Sequence, residues 1–339
     1  MKKGFKILLA IVIAVVVATA VVVPSVHYTR FAVPKETKAD RVSQGVVPTA
    51  AQVAAAPKYD RVVIFGVDGA GGALATVDTP AFDRIFGEGS VNYHGTSQYP
   101  TISAQNWAAM LLGVTAQTHQ ITNDKANLFT RKTGGALPSV FATVSAAMPQ
   151  ATFFSAVDWP NINHGIIEKD IAGMTKVNAK TLVKDPDDEE KVDEVVADKA
   201  VERVQTHDDA IVFLHFDAVD HAGHKYGNAS TEYVEAIQWV DEQMGRVYDA
   251  YRAKGLVDTT LFICVTDHGH TEKGGHGKES PSEKAVTLAV AGGLGNVIKG
   301  TSGAYVTHDL APIVLYALGV AQPAHYEGGV PRNLFVGLE

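Results

Sequence analysis

The segment Arg61-Val62-Val63-Ile64-Phe65-Gly66-Val67 constrains this chain more than any other. It is β-branched and apolar at consecutive positions, so the strand it forms must be covered on both faces. Such a strand belongs in the middle of a sheet with helices on either side. The same pattern returns at residues 210–216 and 259–265, and residues 285–290 are expected to add a fourth strand. Helical stretches lie between them. Thr79-Pro80 opens a short helix that ends near Gly87. Val234, Ile237, Val240, Met244, Val247 and Tyr251 mark one face of a long helix that Gly255 stops. Residues 308–318 read as a late helix. Strands alternating with helices predict an α/β fold, a three-layer α/β/α sandwich with a largely parallel central sheet.

Open sheets of this kind place their sites just beyond the carboxyl ends of the strands. Three of the expected strands deliver carboxylates or imidazoles there. The first ends in Asp68, followed by Gly69-Ala70-Gly71-Gly72; the second runs into Asp217, Asp220, His221 and His224; the third ends in Asp267, His268 and His270. Taken singly, an Asp after a strand is a turn or cap residue and a lone His a structural one. His215, inside its strand, has that plain reading. Together the residues form a donor set of carboxylate oxygen and imidazole nitrogen, which suits a hydrolytic zinc site. The acidic stretch Asp185, Asp187, Asp188, Glu189 and Glu190 reads as a solvated helix entry.

These motifs carry a family resemblance. VVIFGVDG, YPTISAQNWAAMLLGVTAQTHQITN, DHAGHKYG and VTDHGH, in that order, resemble the alkaline phosphatase superfamily on its type I phosphodiesterase and nucleotide pyrophosphatase branch. The likeness runs from about residue 60 to residue 320. It implies that Asp68, Asp267 and His268 hold one divalent ion and that Asp220 and His224 hold a second. His276 is the choice for the second ion's third ligand, with His308 and His270 as alternatives. Two divalent ions, zinc by expectation, are therefore the implied cofactors. The family's nucleophile lies ten residues before the glycine ending the next helix, which from Gly113 gives Ser103. Thr101 is the alternative, and a plain helix cap is the bland reading of Ser103. Asn106, one turn on, is expected to donate to a phosphoryl oxygen.

The resemblance thus implies a metal-dependent phosphodiesterase or nucleotide pyrophosphatase that acts on small phosphate esters through a phosphoserine. A phosphomonoesterase, and an inactive membrane-tethered metal-containing binding protein, are the rivals. Nucleotide-cleaving relatives carry an aromatic residue after the nucleophile. Ala104 stands there in this chain, which weakens the case for nucleotides. The family's His-Gly after this helix is His119-Gln120 here, a change expected to touch only a turn. Trp107 and Trp159 are expected to pack in the core. No Cys-x-Pro-x-Arg or Cys-x-Ala-x-Arg segment is present, so the sulfatases' modified nucleophile is missing.

Composition bounds what remains. A chain of 339 residues with 46% hydrophobic content can bury one large core. The net charge of −8 argues against a protein that tracks nucleic-acid backbone. Cys264 is the sole cysteine, which rules out an intrachain disulfide. Lys2, Lys3 and Lys6 precede an unbroken apolar run from Ile7 to Val23, long enough to enter a bilayer. An uncleaved anchor with the body outside suits its length, and a cleaved signal peptide, giving a secreted protein, is the competing reading. Residues 1–23 are thus read as an export segment, 24–57 as a linker and 58–339 as the catalytic domain. Nothing in the sequence sets an oligomeric state.

Overall fold

The computed structural model describes residues 32–33 and 39–338. Its sheet contains β1 (Arg61–Val67), β2 (Ser90–Thr96), β3 (Phe153–Val157), β4 (Met174–Asn178), β5 (Ile211–Phe216), β6 (Thr260–Thr266) and β7 (Ala285–Gly292). They lie side by side in the order β2-β7-β6-β1-β5-β3-β4. β1 pairs in parallel with β5 on one side and β6 on the other, and every residue of it is buried, as its composition demands. β3 and β4 extend the parallel set. β7 runs antiparallel to both β6 and β2, so the expected fourth strand is the one that departs from the common direction.

Helices cover both faces. Val62 and Ile64 point into one core with the helices Ser103–Leu112, Val140–Ala147 and Leu310–Ala317. Val63, Phe65 and Val67 point into the other, with Pro80–Phe86, Glu189–Thr206 and Thr231–Ala253. The sheet is thus the middle of three layers. Thr79 makes no side-chain cap for the Pro80 helix. Asp241 does so from the long helix, accepting from the amides of Ala81 at 2.9 Å and Phe82 at 2.6 Å.

The expected linker differs from what the structure shows at its C-terminal half. Arg41 is buried; its Nε donates to the Ser97 carbonyl at 2.8 Å and its guanidinium pairs with Glu279 at 3.0 Å. Val46 exchanges backbone hydrogen bonds with Val330, and Val53, on the helix Ala50–Ala55, enters the core. The folded body therefore includes residues 39–57. The apolar run at 7–23 lies outside the described residues, and among those described no helix is long and apolar enough to cross a membrane.

Candidate active site

Parallel pairing of β1 with β5 and β6 brings three strand ends together. Val67 lies opposite Phe216 and Thr266, so Asp68 and Asp267 leave the sheet beside one another. Asp220 joins them from the helix Ala218–Tyr226, which begins one residue beyond Asp217. Gly69, at φ +70°, makes the approach possible, because a Cβ there would meet the Asp220 Cα at 2.7 Å.

Asp68 is held from one side. Its Oδ2 accepts from Trp107 Nε1 at 2.8 Å and lies 3.0 Å from His215 Nε2. Its Oδ1 is left to face Ser103 Oγ and His268 Nε2, each at 3.5 Å. Ser103 Oγ lies 3.2 Å from His268 Nε2. His268 Nε2 is 3.3 Å from Asp267 Oδ2, which is buried without a hydrogen-bond partner. Asp267 Oδ1 accepts from the Gly69 and His268 amides. Burial, with Asp68 alongside, pushes the Asp267 carboxyl well up. Burial and then His276 push His268 down to about 3. Burial and Asp220 act to raise Asp68, yet the His215 hydrogen bond, with His268, holds it below the usual carboxylate range. Carboxylates and a neutral imidazole crowded this closely, with an orphaned oxygen among them, fit a bound cation.

The second set centres on Asp220. One ligand atom each from Asp220, His224, His270 and His276 fall within 4.8 Å of one another. His224 Nε2 lies 3.3 Å from Asp220 Oδ2, and His270 Nε2 lies 2.8 Å from Asp220 Oδ1. His276 Nδ1 meets the Thr101 carbonyl at 2.6 Å, so that nitrogen carries the proton. Its Nε2 lone pair then faces His224 Nε2 at 3.1 Å and Asp220 Oδ1 at 3.7 Å. A ring nitrogen left in the acceptor form, facing a carboxylate and a second imidazole nitrogen, fits a cation between them. His308 instead meets Gln98 at 3.0 Å and is buried outside this group, whereas His276 falls within it. His270 joins as a fourth donor.

The nucleophile alternatives separate on their hydrogen bonds. Thr101 Oγ1 is committed, accepting from the Gly277 amide at 2.8 Å and donating to the Lys278 carbonyl at 3.1 Å. Ser103 is the first residue of its helix and makes no cap. It is 8% exposed where Thr101 is fully buried, and of the two alternatives it is the one that touches both Asp68 and His268.

Asn106 does not take the expected position. It is fully buried: its Oδ1 accepts from the Gln98 amide at 2.6 Å and Thr307 Oγ1 at 3.1 Å, and its Nδ2 donates to Ile102 O at 3.1 Å. It ties the helix start to its neighbours from within the packed interior, away from solvent. Asn123 does lie beside the helix start. Its Oδ1 accepts from the Ala104 amide at 3.0 Å, satisfying an N–H that Ile102 at the cap position cannot. Its amide NH₂ is thereby left for a group bound over Ser103. The clue in the sequence was the Thr-Asn pair closing the long matched segment, after a turn that doubles back.

His215 and Trp107 also exceed their expected roles, since both hold Asp68. Gly66 permits this, because a Cβ there would meet the Trp107 ring at 2.6 Å. One ligand atom each of Asp68, His215 and Asp217 lie within 4.8 Å of one another, and His215 Nδ1 is buried without a hydrogen-bond partner. Asp217, Asp158 and Glu189 form a further acidic group, with Lys180 Nζ 2.9 Å from Glu189 and 3.3 Å from Asp158. Glu189 thus turns inward, unlike the solvated helix entry expected for its stretch. Gln120 adopts φ +55°, the left-handed conformation that explains the glycine of the family pattern.

A family model described as type I phosphodiesterase / nucleotide pyrophosphatase matches residues 62–278. GPI ethanolamine phosphate transferase 2 of Aspergillus fumigatus is 23% identical over 238 residues, covering 69% of this chain and 30% of that protein. GPI ethanolamine phosphate transferase 1 of Saccharomyces cerevisiae is 28% identical over 150 residues, covering 39% and 16%. The chain spans less than a third of the length of these relatives. Murine ectonucleotide pyrophosphatase / phosphodiesterase 5 superposes with a TM-score of 0.60 at 14% identity, covering 78% of this chain and 96% of that one. A 2-O GAG sulfatase gives 0.63 at 14% identity, covering 80% and 73%. These solved structures share the alkaline phosphatase-like fold.

Proposed function

This chain belongs to the type I phosphodiesterase / nucleotide pyrophosphatase family, and from that premise we propose that it hydrolyses phosphodiesters through a covalent intermediate on Ser103. The observation that carries this reading is the placement of Ser103 Oγ, 3.2 Å from His268 Nε2 and 3.5 Å from Asp68 Oδ1 at the head of a helix. Asp68, Asp267 and His268 would hold one divalent ion, and Asp220, His224 and His276 a second, with His270 beside them. Ions held there would supply the Lewis acidity that makes a serine hydroxyl ionisable near neutral pH and would neutralise charge on the leaving oxygen. Aspartate and histidine donors suit zinc.

Ser103 Oγ then attacks phosphorus, the P–O bond to the leaving alcohol breaks, and the remaining ester stays on the serine. Water reverses the attachment and releases a phosphomonoester. Asn123, pinned through its Oδ1, donates from its NH₂ to an equatorial oxygen as charge builds. The helix N-terminus favours the same charge. Ala104 is fully buried, so no side chain after the nucleophile reaches out to stack on a base. Lipid or other alcohol esters therefore suit the site better than nucleotides.

The relatives named as ethanolamine phosphate transferases favour one second reading, in which an alcohol replaces water in the last step. Turnover of bis-p-nitrophenyl phosphate by the full chain with zinc, lost in Ser103→Ala with both ions still bound, supports the catalytic reading. Both ions bound with no ester turned over supports a binding role, and faster cleavage of p-nitrophenyl phosphate supports a monoesterase. Adding an alcohol such as glycerol distinguishes transfer, since a transferase passes the p-nitrophenylphosphoryl group to it and yields the mixed diester in place of p-nitrophenyl phosphate.

A further inference from the structure

The short helix Asn123–Leu128 begins at the residue that touches the Ser103 helix and ends at two exposed apolar side chains. Leu128 is 58% exposed and Phe129 is 60% exposed. About 8 Å of helix axis separates them from Asn123. Beside Phe129 lies a cavity of about 520 Å³. Its apolar wall includes Leu112, Ile121 and Leu137, and its polar wall Lys125, Arg131 and Lys132; Arg131 is paired with the buried Glu168 at 3.1 Å, which leaves Lys125 and Lys132 as the wall's uncompensated cations. That sign is the reverse of the chain's net charge of −8.

A second observation orients this face. The Val33 amide donates to Gln120 Oε1 at 2.9 Å, and Val33 is buried against the body. Lys125 Nζ donates to the Gln120 carbonyl at 2.7 Å. The chain that follows the apolar run ending at Val23 therefore meets the body at the edge of the cavity. Adjacent exposed apolar side chains, the lysines Lys125 and Lys132, and the Val33 contact, ten residues after the apolar run in sequence, coincide on one side of the domain.

We propose that the face formed by residues 121–137 rests on an anionic lipid bilayer, with Leu128 and Phe129 entering the headgroup region, and that the phosphodiester reaching Ser103 is carried by a lipid. The substrate half of this proposal rests on the catalytic reading of Ser103; the docking half does not. Lys132, exposed beside the cavity, meets lipid phosphate, while Lys125 and Arg131 line the wall behind it.

The test uses the full chain reconstituted in phosphatidylcholine vesicles with and without phosphatidylglycerol. Cys264 is fully buried, so a thiol-reactive fluorophore reports only an introduced cysteine. Phe129→Cys places it on the proposed face, and Glu202→Cys on the helix Glu189–Thr206 places it on the opposite layer. Nitroxide-labelled lipids should quench the label at 129, more strongly with phosphatidylglycerol, and leave the label at 202 bright. Phe129→Asp should lower turnover of vesicle-borne phosphatidyl-p-nitrophenol relative to bis-p-nitrophenyl phosphate by roughly tenfold, as loss of one buried aromatic contact implies. Equal quenching at the two positions, or none at 129, overturns the docking face, whichever esters are cleaved. Quenching at 129 with neither ester cleaved keeps the docking face and overturns the catalytic reading. An unchanged ratio of the two turnovers overturns the lipid-borne substrate.

Discussion

Trp107→Phe isolates the grip on Asp68. Trp107 Nε1 donates to Asp68 Oδ2 at 2.8 Å inside a fully buried contact, and the ring packs edge-on against Phe213 and His215. Phenylalanine keeps most of that packing and removes the donor. A hydrogen bond to a buried carboxylate contributes about 1.5–3 kcal/mol. The smaller ring adds a packing loss on the order of 1 kcal/mol. The expected destabilisation is therefore about 2.5–4 kcal/mol, partly relieved because His215 still reaches the same oxygen. Freed on one side, the carboxylate also presents Oδ1 less rigidly, and losses of outer-shell partners weaken metal binding roughly 10–100-fold. Urea denaturation in chelator reads the first effect, and competition with a chromophoric chelator reads the second. A change below about 0.5 kcal/mol together with unaltered zinc affinity refutes the argument that Trp107 holds Asp68.

Three further outcomes follow from the same geometry. Asn123→Ala should lower kcat for bis-p-nitrophenyl phosphate about 10²-fold with little change in metal content, as removal of one transition-state donor does; steady-state kinetics with metal analysis checks this. Gly66→Ala places a Cβ 2.6 Å from the Trp107 ring and should cost about 1–3 kcal/mol of stability by overpacking, measured by denaturation. Acidification should strip the second ion: the Asp220 hydrogen bond raises the His224 pKa above its ordinary value, so below that pKa a proton occupies the nitrogen the ion needs. Affinity at that site falls by up to about tenfold per pH unit below the raised pKa, and zinc titrations from pH 8 to 5 read the slope.

The middle of the sheet was legible because β1, β5 and β6 are apolar at consecutive positions, a pattern that only double-sided burial explains. β2 and β4 were not. They lie at the two sheet edges, where Ser90-Val91-Asn92-Tyr93-His94 and Met174-Thr175-Lys176 keep polar side chains. β3 is buried but only five residues long. At the site, residues directly after strands were legible, since strand ends fix where Asp68 and Asp267 must sit. Helix spacing misled at Asn106. One turn beyond Ser103 along this helix leads into the packed interior, and the free amide comes from Asn123, which a turn returns to the helix start. His215 looked like a strand residue because its role depends on the neighbouring strand, which periodicity within a single strand does not report.

The most direct test is acid-quenched mass spectrometry of the full zinc-loaded chain during turnover of bis-p-nitrophenyl phosphate. The account predicts a p-nitrophenylphosphoryl group on the peptide containing Ser103, absent from Ser103→Ala, whose turnover is lost while both ions stay bound. Turnover that persists in Ser103→Ala, or an adduct on Thr101, would contradict it.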